Sequence, residues 1–145
     1  MQMTNEWIPE AEQFVGTAAA HTIGLVIGSV NELIRVILDI PGEYRALGIL
    51  SSRTGTVAQA IAIDDAVKEC NAKLLRFEMA IDAGRQCGQG CLFILGAETI
   101  SDARKVVEES LRNIDYWSQC IYINEVGHMA VSYTHLRAHE TRSNL

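Results

Sequence analysis

Short apolar segments alternate with amphipathic ones along most of this chain, and that alternation constrains the fold more than any single motif does. Segments of strand length lie at residues 22–30, 46–50, 73–79 and 91–95. Segments with apolar residues at helical spacing lie at residues 31–39, 56–70 and 101–116. Helices that alternate with strands pack on a sheet. The pattern therefore predicts an α/β or α+β fold, with helices packed on a sheet of about four or five strands.

The three predicted helices differ in their caps and in their apolar faces. The first is capped by Asn31 and ends near Asp39, and its apolar residues are Leu33, Ile34, Ile37 and Leu38. The predicted apolar face of the second helix is Val57, Ala60, Ile61, Ala66, Val67 and Cys70. The third helix is capped by Ser101, and its predicted buried stripe is Ala103, Val107, Leu111 and Ile114.

Glycines and pairing signals refine the predicted sheet. Gly24 and Gly28 interrupt the first apolar strand, which indicates that a neighbouring element approaches its backbone closely. The strands at 73–79 and 91–95 are predicted to pair as neighbours through a glycine-rich loop at 81–90. A short strand at 121–123 is predicted to close the unit.

Composition and charge exclude several classes of protein. The chain has 145 residues, of which 48% are hydrophobic and 21% charged, as is typical of one packed domain. A net charge of −6 without a basic stripe argues against nucleic acid as a partner. The longest apolar run is far shorter than the roughly 20 residues of a membrane-spanning helix, which argues against a membrane partner. Residues 1–14 contain acids and no apolar core, so no export signal is predicted and the cytosol is the expected compartment.

The two ends of the chain differ from its middle. Residues 1–13 are mostly polar and acidic and contain Pro9, so they are predicted to be a flexible leader, with order starting near Phe14. Residues 131–145 have no apolar periodicity and no helix cap, and they resemble a translated sequencing adapter. The predicted organisation is therefore a leader at 1–13, a domain at 14–130 and a non-native tail at 131–145.

Seven segments in order resemble a known family. They are FVGTA at 14–18, TIGLVI at 22–27, EYRALGIL at 43–50, RTG at 53–55, DDAVK at 64–68, LFILGA at 92–97 and NEVGHM at 124–129. Together they resemble the tandem-domain shell proteins of bacterial microcompartments, in particular those of propanediol-utilisation compartments and their ethanol and glycyl-radical relatives. The resemblance implies a circularly permuted shell domain, of which this chain holds the N-terminal one, with the second domain missing.

The resemblance also implies a function and an assembly. Three full-length chains would form a pseudohexameric tile with a central pore, and tiles would meet one another and other shell proteins in a compartment shell in the bacterial cytoplasm. The implied role is structural rather than enzymatic, with no catalytic residue and no required cofactor. Small metabolites or cofactors would pass through the pore.

Two sets of site residues follow from the same resemblance. The loop between the third and fourth strands would line the pore, with the residues Gly84, Arg85, Gln86, Cys87, Gly88, Gln89 and Gly90. Arg85, Gln86 and Gln89 would select metabolites by charge and hydrogen bonding. Lys68 would lie at the tile edge and contact the neighbouring tile, and an ion pair with Asp64 four residues earlier would support its helix.

Three alternatives come from the residues alone. Cys87 and Cys91, three residues apart, could hold a metal or an iron–sulphur cluster, which would make the loop a redox module. The competing interpretation of Cys91 is a small buried apolar residue, as free cysteines commonly are. Four cysteines in a cytosolic chain predict no disulfide framework. The polar turn at 51–56 could bind a nucleotide or another anion at a helix N-terminus, or simply cap that helix. His128 beside Glu125 lacks a nucleophile or a second ligand, which favours a structural histidine.

Overall fold

The protein is represented by a computed structural model that describes residues 12–53, 56–79, 90–119, 121–123 and 129–131. Seven strands and three helices lie in these ranges. Their order is β1 Glu12–Ala18, β2 Thr22–Ile27, α1 Glu32–Leu38, β3 Ala46–Ser52, α2 Val57–Glu69, β4 Lys73–Met79, β5 Cys91–Ala97, α3 Ile100–Ser118, β6 Ile121–Ile123 and β7 Met129–Val131.

The first five strands form one antiparallel sheet in the order β1-β2-β3-β5-β4. Strand β5 lies between β3 and β4, so the connection through α2 spans a split β-α-β unit. The predicted pairing of β4 with β5 and the predicted sheet of four or five strands are confirmed, and the antiparallel arrangement makes the fold α+β.

Helices α2 and α3 cover one face of this sheet and form the main core with it. The largest fully buried side chains there include Phe93, Leu50, Leu95 and Ile63. Helix α3 lies very close to the strands, because an added Cβ at either Gly24 or Gly48 would come within 2.6 Å of a Val107 methyl group. The close approach predicted at Gly24 is therefore confirmed, and the neighbour is α3.

Strand β1 was not predicted. It pairs with β2 from Glu12 to Ala18, so the last two residues of the predicted leader lie in a strand, while residues 1–11 lie outside the described residues. Its weak sequence pattern includes Gly16, and a hairpin with two residues at positive φ, Ala20 and His21, folds it against β2. Pairing with an edge of the sheet fixed this strand where local propensity did not.

The buried face of α2 differs from the prediction. The predicted Ala66 is buried, and the predicted Ala60, Val67 and Cys70 are partly buried against the core. Ala58, Gln59, Ala62 and Ile63 are buried without having been predicted, whereas the predicted Val57 is half exposed. Most residues of this helix are apolar, so periodicity gave little information about which side faces the sheet. Small side chains on the inner side let α2 pack closely against α3 and the strands, and this packing determined the orientation.

The prediction for α3 is right in its core and wrong at its cap. The predicted stripe of Ala103, Val107, Leu111 and Ile114 is buried. The N-cap is Thr99 rather than Ser101, because the Thr99 hydroxyl accepts a hydrogen bond from the Asp102 amide at 3.1 Å. The helix consequently starts at Ile100, two residues earlier than a cap at Ser101 implies.

Strand β6 does not close the main sheet. It pairs with β7 in a separate two-stranded ladder, Ile121 opposite Val131. Val131, the first residue of the predicted tail, is thus the last residue of a strand. Residues 132–145 lie outside the described residues.

Helix α1 is placed as predicted and oriented differently. Asn31 caps it through a hydrogen bond from the Leu33 amide at 2.8 Å, and Asp39 ends it in the left-handed conformation. None of its residues is buried, although its sequence is mostly aliphatic. Of the predicted apolar residues, Leu33, Ile34 and Ile37 are exposed, and Leu38 is partly buried against the second core cluster.

Candidate functional site

The predicted pore loop leaves and re-enters the sheet at one end. Ser52 at the end of β3 is opposite Cys91, and Met79 at the end of β4 is opposite the same residue. Of the predicted pore residues the structure describes only Gly90; Gly84, Arg85, Gln86, Cys87, Gly88 and Gln89 lie outside the described residues. The described site is therefore the end of the sheet next to this loop, formed by Ser52, Met79, Gly90 and Cys91, and is called the loop base below.

Gly90 is the point at which the loop re-enters the sheet. Its φ is +92°, and a Cβ there would lie 2.4 Å from the Ser52 carbonyl oxygen. Both the backbone conformation and the contact require glycine. Gly90 thus fixes the direction in which the preceding loop residues approach the sheet.

A cavity of about 260 Å³ opens at this end of the sheet. Its described lining mixes hydroxyl, carboxylate and apolar groups and comprises Ser51, Ser52, Glu78, Met79, Gly90, Cys91 and Leu92. Such a lining suits contact with small polar molecules, and it adjoins the loop that the resemblance places at a pore.

Cys91 is a buried residue at the start of β5. Its Sγ lies 2.9 Å from the Ser52 Oγ, and burial raises the pKa of the thiol, while the hydrogen bonds with Ser52 oppose that shift. The side chain is 5% exposed and packs in the main core cluster. The structure supports the interpretation of Cys91 as a small core residue.

The raised pKa predicts a loss of stability in alkali. The unfolded thiol ionises near its ordinary pKa of 9.0, whereas the folded thiol stays protonated to higher pH. Stability from this group is complete below that value and is lost as pH rises towards the folded pKa. Urea unfolding between pH 8 and 11 should show a steeper loss for the wild type than for Cys91→Ala. Parallel curves for the two proteins would contradict the prediction. Burial also raises the pKa of the Cys70 thiol, and Cys70 contributes to the curves of both proteins.

The cluster hypothesis is not supported by the described part of the chain. Within it, no group of three histidine, cysteine or acidic side chains is placed to hold a metal ion. Cys87, the proposed second ligand, lies outside the described residues. The same holds for Glu125 and His128.

The polar turn at 51–56 makes structural contacts. The Ser52 hydroxyl is buried against Cys91, and the Arg53 amide donates to the His21 carbonyl at 3.4 Å. Thr56 is the N-cap of α2, and Thr54 and Gly55 lie outside the described residues. These contacts join the hairpin to β3 and β5, and Thr56 caps α2 through its backbone carbonyl, which accepts from the Ala60 amide, without a side-chain cap hydrogen bond.

Lys68 lies on the exposed side of α2, far in sequence from the pore loop. Its side chain is 66% exposed and pairs with the Asp64 carboxylate, so the predicted ion pair is confirmed. Since the Lys68 pair is exposed, its effect on stability is small. The position is accessible to a neighbouring molecule.

Sequence reasoning missed Ser52 as the anchor of the loop base. The Ser52–Cys91 contact joins residues 39 positions apart, so no local pattern could reveal it. The described helices also include none that is long and apolar enough to cross a bilayer.

Comparison with known proteins gives consistent relatives. No protein-family model matches the chain. The bacterial microcompartment shell protein PduB of Citrobacter freundii is 37% identical over 122 residues, which are 84% of this chain and 45% of that protein. The chain spans about half the length of the curated relatives it matches.

Solved structures show the same relationship. EtuB from Clostridium kluyveri has a TM-score of 0.69 and 38% identity, over 76% of this chain and 48% of that one. A trimeric bacterial microcompartment shell protein PduB has a TM-score of 0.67 and 34% identity, over 79% of this chain and 51% of that one. The expected resemblance is thereby confirmed: over about half of their length the chain is similar to bacterial microcompartment shell proteins, and its fold is that of a shell domain.

Proposed function

We propose that the protein is a structural component of a bacterial microcompartment shell in the cytoplasm, rather than an enzyme. The observation that carries this proposal is the agreement of sequence and fold with PduB and EtuB over about three quarters or more of the chain. The described residues add a rigid loop base at the end of the sheet and an exposed lysine on α2. Both features suit a tile with a pore.

The pore is proposed to lie at the loop base. Gly90 and Ser52 hold the loop at the sheet, and the adjoining cavity has a mixed polar and apolar lining that suits small polar metabolites. In a trimer of tandem-domain chains, such loops from several domains would meet around one axis. The solved PduB relative described as trimeric supports that stoichiometry.

The shell role is tested by electron microscopy of the protein expressed from its full reading frame. Flat sheets, or incorporation into compartment shells, are expected. A protein that remains a compact monomer at all concentrations would overturn the proposal.

The Lys68→Ala variant tests the proposed tile edge. We expect the fold to stay intact, with a loss of about 0.5 kcal/mol or less, because the ion pair with Asp64 is exposed. Sheet formation should weaken, since the change removes a cation from the edge contact. Sheets of unchanged extent in micrographs would count against an edge role, and Lys105→Ala on α3 serves as the control for loss of an exposed lysine.

We also propose that a second shell domain follows in the same reading frame and that the tail at 131–145 is not native. The proposal agrees with relatives of about twice this length. Sequencing the source DNA across the codon of Ala130 tests it. A frame that continues into a second domain is expected, whereas a gene that ends after Leu145 would refute the proposal.

A further inference from the structure

The sheet carries an apolar groove at its β1 edge, on the face turned away from α2 and α3. Gly24 and Val26 face those helices, so alternation along β2 places Leu25 and Ile27 on the opposite face. Phe14 on β1 pairs with Leu25 and is 63% exposed. The two strands form a cavity of about 220 Å³, called the β1 groove below, whose lining is Gln13, Phe14, Leu25, Val26 and Ile27.

The size of the β1 groove limits what can occupy it. Its volume lies below the roughly 300–1,000 Å³ of sites for drug-sized ligands. Its few lining residues fall far short of the roughly 20–30 residues that each side of a stable protein interface contributes. An occupant that is already joined to the domain needs less contact than a free one, because attachment keeps its local concentration in about the millimolar range. These limits favour a single bulky side chain of the same polypeptide.

We propose that Trp7 occupies the β1 groove and that the segment 1–11 folds back along β1 to place it there. The segment lies outside the described residues and joins the sheet at Glu12, which precedes the groove residue Gln13. The stretch from Trp7 to Glu12 spans at most about 17 Å. Because the groove begins next to Glu12, the Trp7 ring can reach it. The inference does not depend on the proposed shell function.

The sequence of this segment provides both an aromatic ring and a turn. Trp7 is its one aromatic residue and is followed by Ile8. Pro9 comes next, and proline fixes φ near the value of about −65° that suits the second position of a tight turn. A turn at Pro9 would reverse the chain between Trp7 and β1 and bring the ring alongside the start of the strand. Glu6 and Glu10 would keep their charges in water on either side.

Burial of Trp7 in the groove would also cover an exposed edge of the sheet. Strand β1 is an edge strand, and exposed apolar edges pair readily with other chains. A ring packed on Phe14 and Leu25 removes apolar surface of both partners from water and adds an aromatic contact. A second copy of the chain is the competing occupant, and its binding, unlike that of Trp7, would rise with protein concentration.

The test is acrylamide quenching of Trp7 fluorescence in the 145-residue chain with Trp117→Phe, which leaves Trp7 as the one tryptophan. We expect quenching to be several-fold weaker in the folded protein than in urea, because a packed ring is shielded from the quencher. Adding Phe14→Glu should restore quenching to nearly the unfolded level, since a carboxylate in the groove disfavours an apolar ring. Val57→Glu is the matched control and should change nothing, because Val57 is a half-exposed residue of α2, on the other face of the sheet.

Three outcomes would overturn the inference. The first is a folded protein in which Trp7 is quenched as strongly as in urea. The second is equal protection of Trp7 with and without Phe14→Glu. The third is protection that appears only as the protein concentration is raised, which would assign the groove to a second copy. None of the three affects the shell role, which depends on whether the full reading frame forms sheets.

A second measurement covers the case in which Trp117→Phe or Phe14→Glu does not fold, as judged by circular dichroism. Methyl NMR spectra of the wild type and of Trp7→Ala are then compared. A packed indole shifts nearby methyl resonances through its ring current. Trp7→Ala should therefore move the resonances of Leu25 and Ile27 and leave those of the fully buried Leu95 unchanged. Unchanged resonances of Leu25 and Ile27 would overturn the inference.

Discussion

Replacing Phe93 with alanine is expected to lower the free energy of unfolding by about 4 kcal/mol, the range measured for large aromatic deletions in cores. Phe93 is 2% exposed and lies in the interior strand β5, in the core cluster that the sheet forms with the helices. Its ring stacks on Phe77 with centroids 4.5 Å apart. Removing the Phe93 ring would leave a cavity between the helices and the sheet, because these two layers cannot move together to fill it.

Urea unfolding followed by circular dichroism measures this loss, with Phe77→Ala as the control. Phe77 is 42% exposed on the edge strand β4, so its deletion leaves a gap that water can fill. We expect roughly half the loss seen for Phe93→Ala. Equal losses for the two variants would show that the stacked pair, rather than burial in the core cluster, determines stability here.

Replacing Gly90 with alanine is expected to cost about 3 kcal/mol, from an unfavourable backbone conformation and from overpacking together. The φ of +92° disfavours any side chain, and the added Cβ would meet a backbone oxygen of Ser52 rather than a flexible side chain. The end of β3 or the start of β5 must therefore shift. Because the predicted pore loop ends at this point, its position should change as well.

Gly42→Ala is the matched control for the second prediction. No heavy atom lies within 4 Å of a Cβ built at Gly42, and its φ is not in the positive range. We expect a change within about 0.5 kcal/mol. Thermal and urea unfolding of both variants measure the difference, and equal stabilities would show that the contact between Gly90 and Ser52 relaxes easily.

The positions of the elements followed from local sequence. Asn31 before an aliphatic run defined α1, and the apolar strands β2 to β5 were recognised from short apolar stretches bounded by turns. The stripe of α3 was readable because its polar and apolar residues are well separated around the helix. Seven segments gave the resemblance to shell proteins, which the comparisons confirm.

Tertiary structure decided which way each element faces and which distant residues meet. Apolar residues of α2 extend well beyond its buried side, so packing against α3 decided that Ala58, Ala62 and Ala66 form the inner side. The aliphatic side chains of α1 face outward, against the usual preference for burying aliphatic residues. Contacts of Arg35 and Asp39 hold the helix in this orientation. Local sequence thus determined where the three helices and strands β2 to β5 form, because propensity and capping act within a few residues, whereas β1 depended on pairing with β2. Orientation and the Ser52–Cys91 contact arose from packing, which acts between residues far apart in the chain.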